Sequence, residues 1–340
     1  MLMGRAGKWS WAAQIRREGP IIALGVLLLG YGLLKSGTHL AASVHPDDPA
    51  ISQWFASPIT GIWWSVAALL TWMLAEVLTT RRRLAAPSIV LAVLFAVLIG
   101  HATFVWVGAT RFGAYAPPLA ASGVVTALLG HYYRFRLPFT VLPLAISGWL
   151  FVMGAAILTG EFFAGSSWAG ADVIAPAVTF TYGLAMFALA LRLDLSDPER
   201  TTRRSDLGFW LHALAAPLML HPLAWPIISH ALLPHAVAAG PHLTPVIIGA
   251  FCVLAVVLAG ICIVIDRCAL LIVGLGYAGA GLLAATSHHA GGHTAPILAA
   301  LAAFEVSVIG LGYFWGTLRA RLVPLLPEFP GKRRLPPVRA

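Results

Sequence analysis

Long apolar runs separated by short polar connections dominate the sequence. The hydrocarbon core of a bilayer is about 30 Å thick, and a helix that rises about 1.5 Å per residue needs roughly 20 apolar residues to cross it. Ten segments meet that requirement, at residues 20–40, 59–79, 86–109, 114–133, 138–160, 171–191, 207–233, 244–265, 268–287 and 295–318. The pattern therefore predicts an all-α, polytopic transmembrane helical bundle with about ten spans.

The basic residues predict how these spans are oriented. If the N-terminus is cytoplasmic, 20 of the 22 Lys and Arg residues fall in cytoplasmic segments, and only Lys35 and Arg111 fall outside. Cytoplasmic loops of membrane proteins carry such an excess of Lys and Arg. Adding or removing one span in the middle of the chain would destroy the asymmetry, so we predict an even number of spans with both termini in the cytoplasm.

Three regions follow from this topology. Residues 1–19 carry Trp9 and Trp11 among basic residues, which predicts a cytoplasmic segment lying at the membrane interface. Residues 20–318 form a single transmembrane domain, and residues 319–340 form a basic, Pro-rich cytoplasmic tail. The first span also resembles a signal peptide, because Arg16 and Arg17 precede it and small residues follow it. We expect it to be retained as a helix.

Composition agrees with a membrane protein and excludes other classes. Of the 340 residues, 59% are hydrophobic and only 10% are charged, against about 25% charged in soluble domains. A soluble enzyme or a disordered protein is therefore excluded, and three Cys residues cannot build a disulfide scaffold. The formal net charge of +9 reflects topology signals near anionic lipid headgroups and predicts no nucleic-acid partner. We expect a multi-pass protein of the cytoplasmic (inner) membrane whose partner is the lipid bilayer.

Three titratable residues lie deep within predicted spans. Glu305, His221 and His101 each fall within about 6 Å of the membrane midplane along the helix axis. A carboxylate at that depth is costly unless it is protonated, hydrated or paired, and no Lys or Arg lies deep in any span. They are candidates for a proton-handling or ligand-binding cluster, and the alternative is that hydroxyl or carbonyl groups satisfy each one separately. Glu76, nearer the cytoplasmic surface, is expected to reach toward residues 81–83.

The seventh span contains three prolines, Pro217, Pro222 and Pro226. Each proline removes a backbone donor and clashes with the preceding turn. Broken helices at membrane depth often line a transporter's substrate site, so one interpretation is a broken helix at such a site. The other is a kinked helix with a purely structural role.

Small residues in the last two spans predict close packing of helices. Residues 274–281 read GLGYAGAG, and Gly312 and Gly316 form a GxxxG pair. Such residues allow the backbones of two membrane helices to approach each other closely. They indicate that spans nine and ten pack against other helices.

Histidines gather in or beside the predicted outside segments. His288, His289 and His293 lie in the segment SHHAGGH, and His230 and His235 repeat the spacing of His288 and His293. Imidazole is the commonest metal ligand, so these residues are candidates for a Zn²⁺ or Cu²⁺ site. The alternative is a polar loop that uses His where Lys and Arg would disturb the topology. A haem held by two histidines is less expected.

These observations leave three functional hypotheses. The first is a permease-like transporter or sensor of a small solute or ion, with proton coupling through the deep residues. The second is a metal- or haem-binding membrane enzyme that uses the outside histidines, although an enzyme is the less expected class. The third is a structural subunit of a larger membrane complex, with membrane-protein partners or further copies of the chain.

Overall fold

The protein is entirely helical in the part of the chain that the structure describes. This computed structural model describes residues 19–44, 58–109, 115–164, 171–232 and 294–328, with scattered positions between 253 and 276, and positions 332 and 335–337. The helices are α1 (Gly19–Val44), α2 (Pro58–Ala75), α3 (Ala85–Ala109), α4 (Ala116–Phe135), α5 (Val141–Ala164), α6 (Ala171–Leu195), α7 (Arg203–Leu232), α8 (Thr294–Tyr313) and α9 (Trp315–Leu325). A π-helical turn, Glu76–Arg81, extends α2, and a 3₁₀ turn, Pro138–Thr140, precedes α5.

Six described segments are long and apolar enough to cross a membrane. They are Gly19–Leu40, Pro58–Arg81, Ala85–Gly108, Pro138–Gly160, Ile174–Leu195 and Arg203–Trp225. This confirms the prediction of a multi-pass helical membrane protein. The count of ten spans and the orientation of the termini stay predictions. Predicted spans four and ten correspond to α4 and α8, which are not among these six segments, and spans eight and nine lie largely outside the described residues.

Several hydroxyl side chains within the helices donate to the helix backbone. Thr71, for example, donates its hydroxyl to the carbonyl of Ala67 at 2.9 Å, and Ser147 does the same to Pro143. In a membrane no water is available to these hydroxyl groups, so bonding to the preceding turn removes the penalty of an unpaired donor. Ser and Thr can therefore sit inside spans without breaking them.

The chain divides into two compact units, Met1–Ala175 and Pro176–Ala340. In the first unit, Trp64 of α2 packs in a core with Leu98 of α3 and Leu128 of α4. Gly37 of α1 faces the Trp64 ring so closely that a Cβ atom there would overlap the ring. The absence of a side chain at Gly37 is therefore what allows α1 to approach α2 at this level.

In the second unit, two glycines set the approach of α6 to α7. A Cβ atom on Gly183 would lie 2.9 Å from side-chain atoms of Leu218 and Met219, and one on Gly208 would lie 2.8 Å from a carboxylate oxygen of Asp194. Glycine at helix crossings permits the short backbone distances typical of membrane bundles. The core beside this crossing includes Cys262, which is fully buried.

Four connections contain a non-glycine residue with left-handed backbone geometry. Arg83, Arg136, Arg200 and Asp266 have φ angles between 50° and 57°. All four lie in connections that the sequence predicts to be cytoplasmic. Glycine usually occupies such positions after a helix, and other residues pay about 1–2 kcal/mol there. The tight turns thus use charged residues at a conformational cost.

Two local interpretations of the sequence need correction. The helix α7 is continuous from Arg203 to Leu232, so the three prolines do not break it, and the interpretation as a broken helix is wrong. Glu76 accepts a hydrogen bond from Arg134 of α4 at 2.7 Å instead of pairing with the adjacent residues 81–83. A π-helical turn begins at Glu76. The backbone between Glu76 and residues 81–83 is therefore not a regular α-helix.

Candidate functional site

A buried ionic cluster joins three segments of the second unit. Asp194 near the end of α6 is 3% exposed, His212 of α7 is fully buried, and Arg267, which follows the helical residues 260–265, is 7% exposed. Arg267 donates to both carboxylate oxygens of Asp194, from Nε at 3.0 Å and from Nη2 at 2.5 Å. The same Nη2 atom lies 2.8 Å from the backbone oxygen and from Oγ of Ser205. We call these four residues the Asp194 cluster.

The histidine completes the coordination of the carboxylate. Nε2 of His212 lies 3.0 Å from Oδ2 of Asp194. Because an ionised carboxylate only accepts hydrogen bonds, Nε2 carries a proton. Nδ1 of His212 is buried and has no hydrogen-bond partner among the described residues. In the cluster, Nδ1 of His212 therefore has no described partner, whereas both oxygens of Asp194 accept hydrogen bonds.

Space for the Asp194 carboxylate depends on the neighbouring helix. Gly208 lies one turn after the start of α7, and its missing side chain leaves room for Oδ1 of Asp194 and the backbone oxygen of Ala190. Any larger residue would push against an oxygen atom that already accepts from Arg267. Gly208 is therefore a positioning residue for the cluster.

A second set of contacts surrounds Asp266, the residue before Arg267. Arg200 donates to the Asp266 carboxylate at 3.2 Å and to the backbone oxygens of Ile265 and Asp266 at 2.7 and 2.6 Å. The indole of Trp315 donates to the other carboxylate oxygen at 2.8 Å. These bonds occupy the carbonyls that a helix leaves unpaired at its C-terminal end. They also fix the left-handed residue Asp266 between α9 and the connection 196–202.

Arg319 ties the C-terminal tail to the same region. Its side chain donates to the backbone oxygens of Ile263 at 3.1 Å, Pro337 at 3.0 Å and Pro336 at 2.5 Å. The residue is only 3% exposed. One guanidinium group therefore joins α9, the end of the helical segment 260–265 and the extended tail.

Asp197 organises the connection between α6 and α7. Its carboxylate accepts from the backbone N–H groups of Thr201 at 3.1 Å and Thr202 at 2.8 Å, and from the hydroxyl of Thr202 at 2.7 Å. Burial alone would raise the pKa of Asp197, but the hydrogen bonds from Thr202 and Thr201 outweigh it and lower the pKa below its usual value. The hydroxyl of Thr202 in turn accepts from the N–H of Arg204, as an N-cap does.

The arrangement behaves as a structural lock on the predicted cytoplasmic end of the second unit. Both oxygens of Asp194 are occupied by donors from α7 and Arg267, and the neighbouring contacts of Asp266 and Ile263 add donors from α9. A buried ion pair adds little net stability compared with apolar residues, but removing one partner leaves an uncompensated charge. The cluster therefore specifies how these segments meet.

The first unit contains a comparable buried histidine. His131 of α4 is 1% exposed, and its Nδ1 atom lies 3.2 Å from the hydroxyl of Thr140. The ring stacks on Phe95 at a centroid distance of 5.3 Å and meets Trp72 edge-on. Nε2 has no hydrogen-bond partner among the described residues. His131 therefore lies in an aromatic pocket with a single polar contact to the turn before α5.

The structure places the deep residues predicted from the sequence in different surroundings. Glu305 is exposed on α8, and His221 is exposed on α7 with its ring 5.6 Å from that of Trp225. His101 belongs to the first unit, where Nδ1 lies 2.9 Å from the carbonyl of Val97 and the ring packs 4.6 Å from Trp64. Their joint role in handling protons or a ligand stays a prediction.

The predicted metal ligands fall outside what can be described. His235, His288, His289 and His293 lie outside the described residues, as does the side chain of His230, although its backbone belongs to α7. Within the described ranges, no group of three or more His, Cys, Asp or Glu residues is placed to hold a metal ion. The Zn²⁺ or Cu²⁺ site stays a prediction.

A cavity of about 600 Å³ lies in the second unit. Its lining is apolar throughout and includes Phe187 and Leu191 of α6, Ile261, Leu322 of α9, and Leu335 of the tail. A site for a polar solute needs a few converging polar groups to orient its ligand. This cavity offers none, so it suits hydrocarbon rather than an ion or polar solute.

Sequence reasoning missed the Asp194 cluster. Hydropathy assigns Asp194 and Arg267 to connections, because each stands at the end of an apolar run. The sequence offers one local indication that Asp194 is buried. It lies between Leu193 and Leu195, and a solvated carboxylate is not usually flanked by two leucines. Its partner lies 73 residues away in sequence, and spacing cannot identify such a pair.

No protein-family model matches the sequence, and neither does any curated protein. A solved structure described as protomer 1 of the ESX-3 core complex resembles this chain in fold, with a TM-score of 0.54 and 20% sequence identity. The match covers 95% of this chain and 74% of that protomer. At this identity the likeness shows a shared helical fold.

Proposed function

We propose that this chain is an integral-membrane subunit of a multicomponent membrane assembly. The observation that carries the proposal is the fold shared with a protomer of the ESX-3 core complex over 95% of the chain. A fold hosts many functions, so the proposal concerns the role of a membrane-embedded component and leaves any cargo open.

The polar geometry supports a structural component over a solute permease. The Asp194 cluster is closed, and its donors and acceptors are used to join segments of the chain. The cavity of about 600 Å³ has an apolar lining. Glu305, which the permease hypothesis placed at a transport site, is exposed on α8. These features suit a scaffold that presents its outer faces to other chains.

The first test is the size of the native particle. The chain, tagged at its C-terminus and expressed from its own locus, is extracted in a mild detergent and analysed by native gel and mass photometry. We expect a particle several times heavier than the 36.0-kDa chain, with the same proteins present at fixed ratios in two different detergents. A particle that holds a single copy of the chain in both detergents would refute the proposal.

A flux assay separates this role from solute transport. Purified chain in liposomes, with a proton gradient and a pH-sensitive dye inside, should leave the proton leak unchanged from that of empty liposomes. The Glu305→Gln variant should behave identically. A proton flux that wild-type protein supports and Glu305→Gln abolishes would instead favour the permease hypothesis.

We further propose the cytoplasmic membrane as its location, with both termini inside. The excess of Lys and Arg in alternate connections supports this orientation. Paired fusions of alkaline phosphatase and green fluorescent protein to the C-terminus test it, since the first is active only outside the cytoplasm. An active phosphatase fusion would place the C-terminus outside the cytoplasm, and with a cytoplasmic N-terminus the number of spans would then be odd.

A further inference from the structure

One face of the second half of α8 is exposed. Val306 is 68% exposed, Ile309 71% and Tyr313 83%. At 100° per residue these positions share a face with Ala302, Glu305 and Gly312, which are also exposed. We call these six residues the α8 stripe.

The stripe contains a carboxylate close to the middle of the helix. Glu305 lies within two residues of the centre of α8, which is about 3 Å along the helix axis. An ionised carboxylate facing hydrocarbon at this depth is strongly disfavoured, and such residues normally face a partner or a wet cavity. Of the described charged side chains, none forms a salt bridge with Glu305. Among the described residues, Glu305 therefore has no counter-charge.

The sequence limits which polypeptide can supply a positive charge to Glu305. All 22 Lys and Arg residues lie in predicted connections or close to the ends of spans, so no part of this chain carries Lys or Arg at the depth of Glu305. A second copy of the chain would bring a second Glu305 or a histidine. Charge complementarity thus favours a helix from a different polypeptide.

The lower part of the stripe is shaped for a close approach. A Cβ atom added to Gly312, the glycine of the stripe, would meet no described atom within 4 Å, and the same holds for Gly316, which follows in α9 after the turn at Phe314. Gly312 is therefore not packed against another described segment. Small residues at such positions let two membrane helices approach closely, and the exposed side chains of Ile309 and Tyr313 provide apolar surface on the same face.

We propose that the α8 stripe binds a transmembrane helix of a different subunit, and that this helix carries Lys or Arg facing Glu305. The inference rests on the proposed function, because it needs an assembly in which another membrane protein is present. Interhelical charge pairing would neutralise Glu305 and fix the depth of the partner helix, while Gly312 would let the two backbones approach each other.

Photocrosslinking in the intact assembly tests which chain covers the stripe. The photoreactive amino acid p-benzoylphenylalanine replaces Ile309, and in a control it replaces Leu69, an exposed residue (59%) at the middle of the span Pro58–Arg81. We expect irradiation at position 309 to give one discrete adduct, whose cross-linked peptide is a membrane span with Lys or Arg near its centre. The control should not give this adduct. An adduct to this same chain, an adduct to a span without Lys or Arg, or the absence of a protein adduct would each overturn the proposal.

Charge exchange tests the chemistry at Glu305. Glu305→Gln should reduce recovery of the cross-linked partner by about tenfold or more, because it leaves the partner's charge buried and unpaired, whereas Glu305→Asp should retain most of it. Glu305→Lys should abolish recovery, and changing the partner's basic residue to Glu in the same cell should restore it. Equal recovery with wild type and Glu305→Gln would refute the role of charge.

The native particle distinguishes the two ways in which the experiment can fail. If the wild-type particle is heavier than one chain but Glu305 substitutions leave recovery of the cross-linked partner unchanged, the proposed function stands and the interface lies elsewhere. If the wild-type chain is already a single-chain particle, the proposed function itself has failed. The folded state of each variant is checked by its monodisperse elution in detergent.

Discussion

Replacing one residue of the buried Asp194–Arg267 pair should destabilise the second unit strongly, whereas replacing both residues should not. The variants are Asp194→Leu, Arg267→Met and the double substitution. Asp194→Leu leaves a guanidinium group that is 7% exposed without a counter-charge. Arg267→Met leaves the carboxylate with His212 as its remaining described side-chain partner.

The magnitude follows from the burial of both groups. Breaking a buried ion pair from one side costs about 3–5 kcal/mol, whereas replacing the whole pair by apolar residues is close to neutral. The two single substitutions therefore sum to about 6–10 kcal/mol, and the double variant should fall well below that sum. Their difference, a coupling free energy of about 3 kcal/mol or more, lies at or above the upper end of the range of about 0.5–3 kcal/mol found for residues that share one network.

Denaturant titration in a mild detergent, followed by far-ultraviolet circular dichroism, measures these free energies of unfolding. The matched control is Arg134→Ala, since the pair of Arg134 and Glu76 is 50% and 29% exposed. An exposed pair contributes at most about 1 kcal/mol, so this variant should change the free energy of unfolding little. Additive single substitutions, or single effects as small as that of the control, would refute the view that the Asp194 cluster is a structural lock.

Three further predictions follow from single sites. Gly37→Ala should lower the free energy of unfolding by about 1–3 kcal/mol, because its Cβ atom would overlap the buried Trp64 ring; thermal unfolding measures it, and an unchanged midpoint would contradict the tight α1–α2 contact. The pKa of Asp197 is lowered in the folded state, so its contribution is present above the pKa of the unfolded chain, about 3.9, and is lost as the pH falls through the lower folded value. Asp197→Asn should therefore flatten the acid limb of a stability profile, and a limb as steep as that of wild type would show that the carboxylate is not responsible. If the outside histidines bind a metal, purified protein should contain zinc or copper by mass spectrometry, and changing His288 and His293 to Ala should remove it; an unchanged metal content would exclude these two residues as ligands.

The helices were predictable because hydrophobicity alone determines where they lie. The predicted span 86–109 coincides with α3 (Ala85–Ala109) to within one residue, because charged residues and a proline mark where the apolar run begins. The end of the second span was harder to place. Predicted at residue 79, it is remodelled by a π-helical turn that runs to Arg81, and hydropathy does not register a change in hydrogen-bond pattern.

The candidate sites were predictable only in part, because depth in the membrane and direction around the helix are different quantities. The sequence places Glu305, His221 and His101 within predicted spans, and their depth in the membrane stays a prediction. It cannot say which way each side chain faces. His101 packs against Trp64 inside the first unit, whereas Glu305 is exposed on α8. Direction depends on how helices pack, and that depends on contacts between residues distant in sequence.

The chain deals with charge near the membrane in two contrasting ways. Asp194 lies near the end of a span and is neutralised within its own unit, where Arg267 can reach it from a connection without either charge entering the middle of the bilayer. Glu305 lies at mid-span, and a Lys or Arg from a connection of this chain would have to extend about ten residues of helix, or roughly 15 Å, to meet it. An arginine side chain is about half that long. The first carboxylate is therefore satisfied within the chain. Under our proposal the second pairs with a basic group on another transmembrane helix, so that the neutralisation of Glu305 and assembly of the proposed complex should depend on each other.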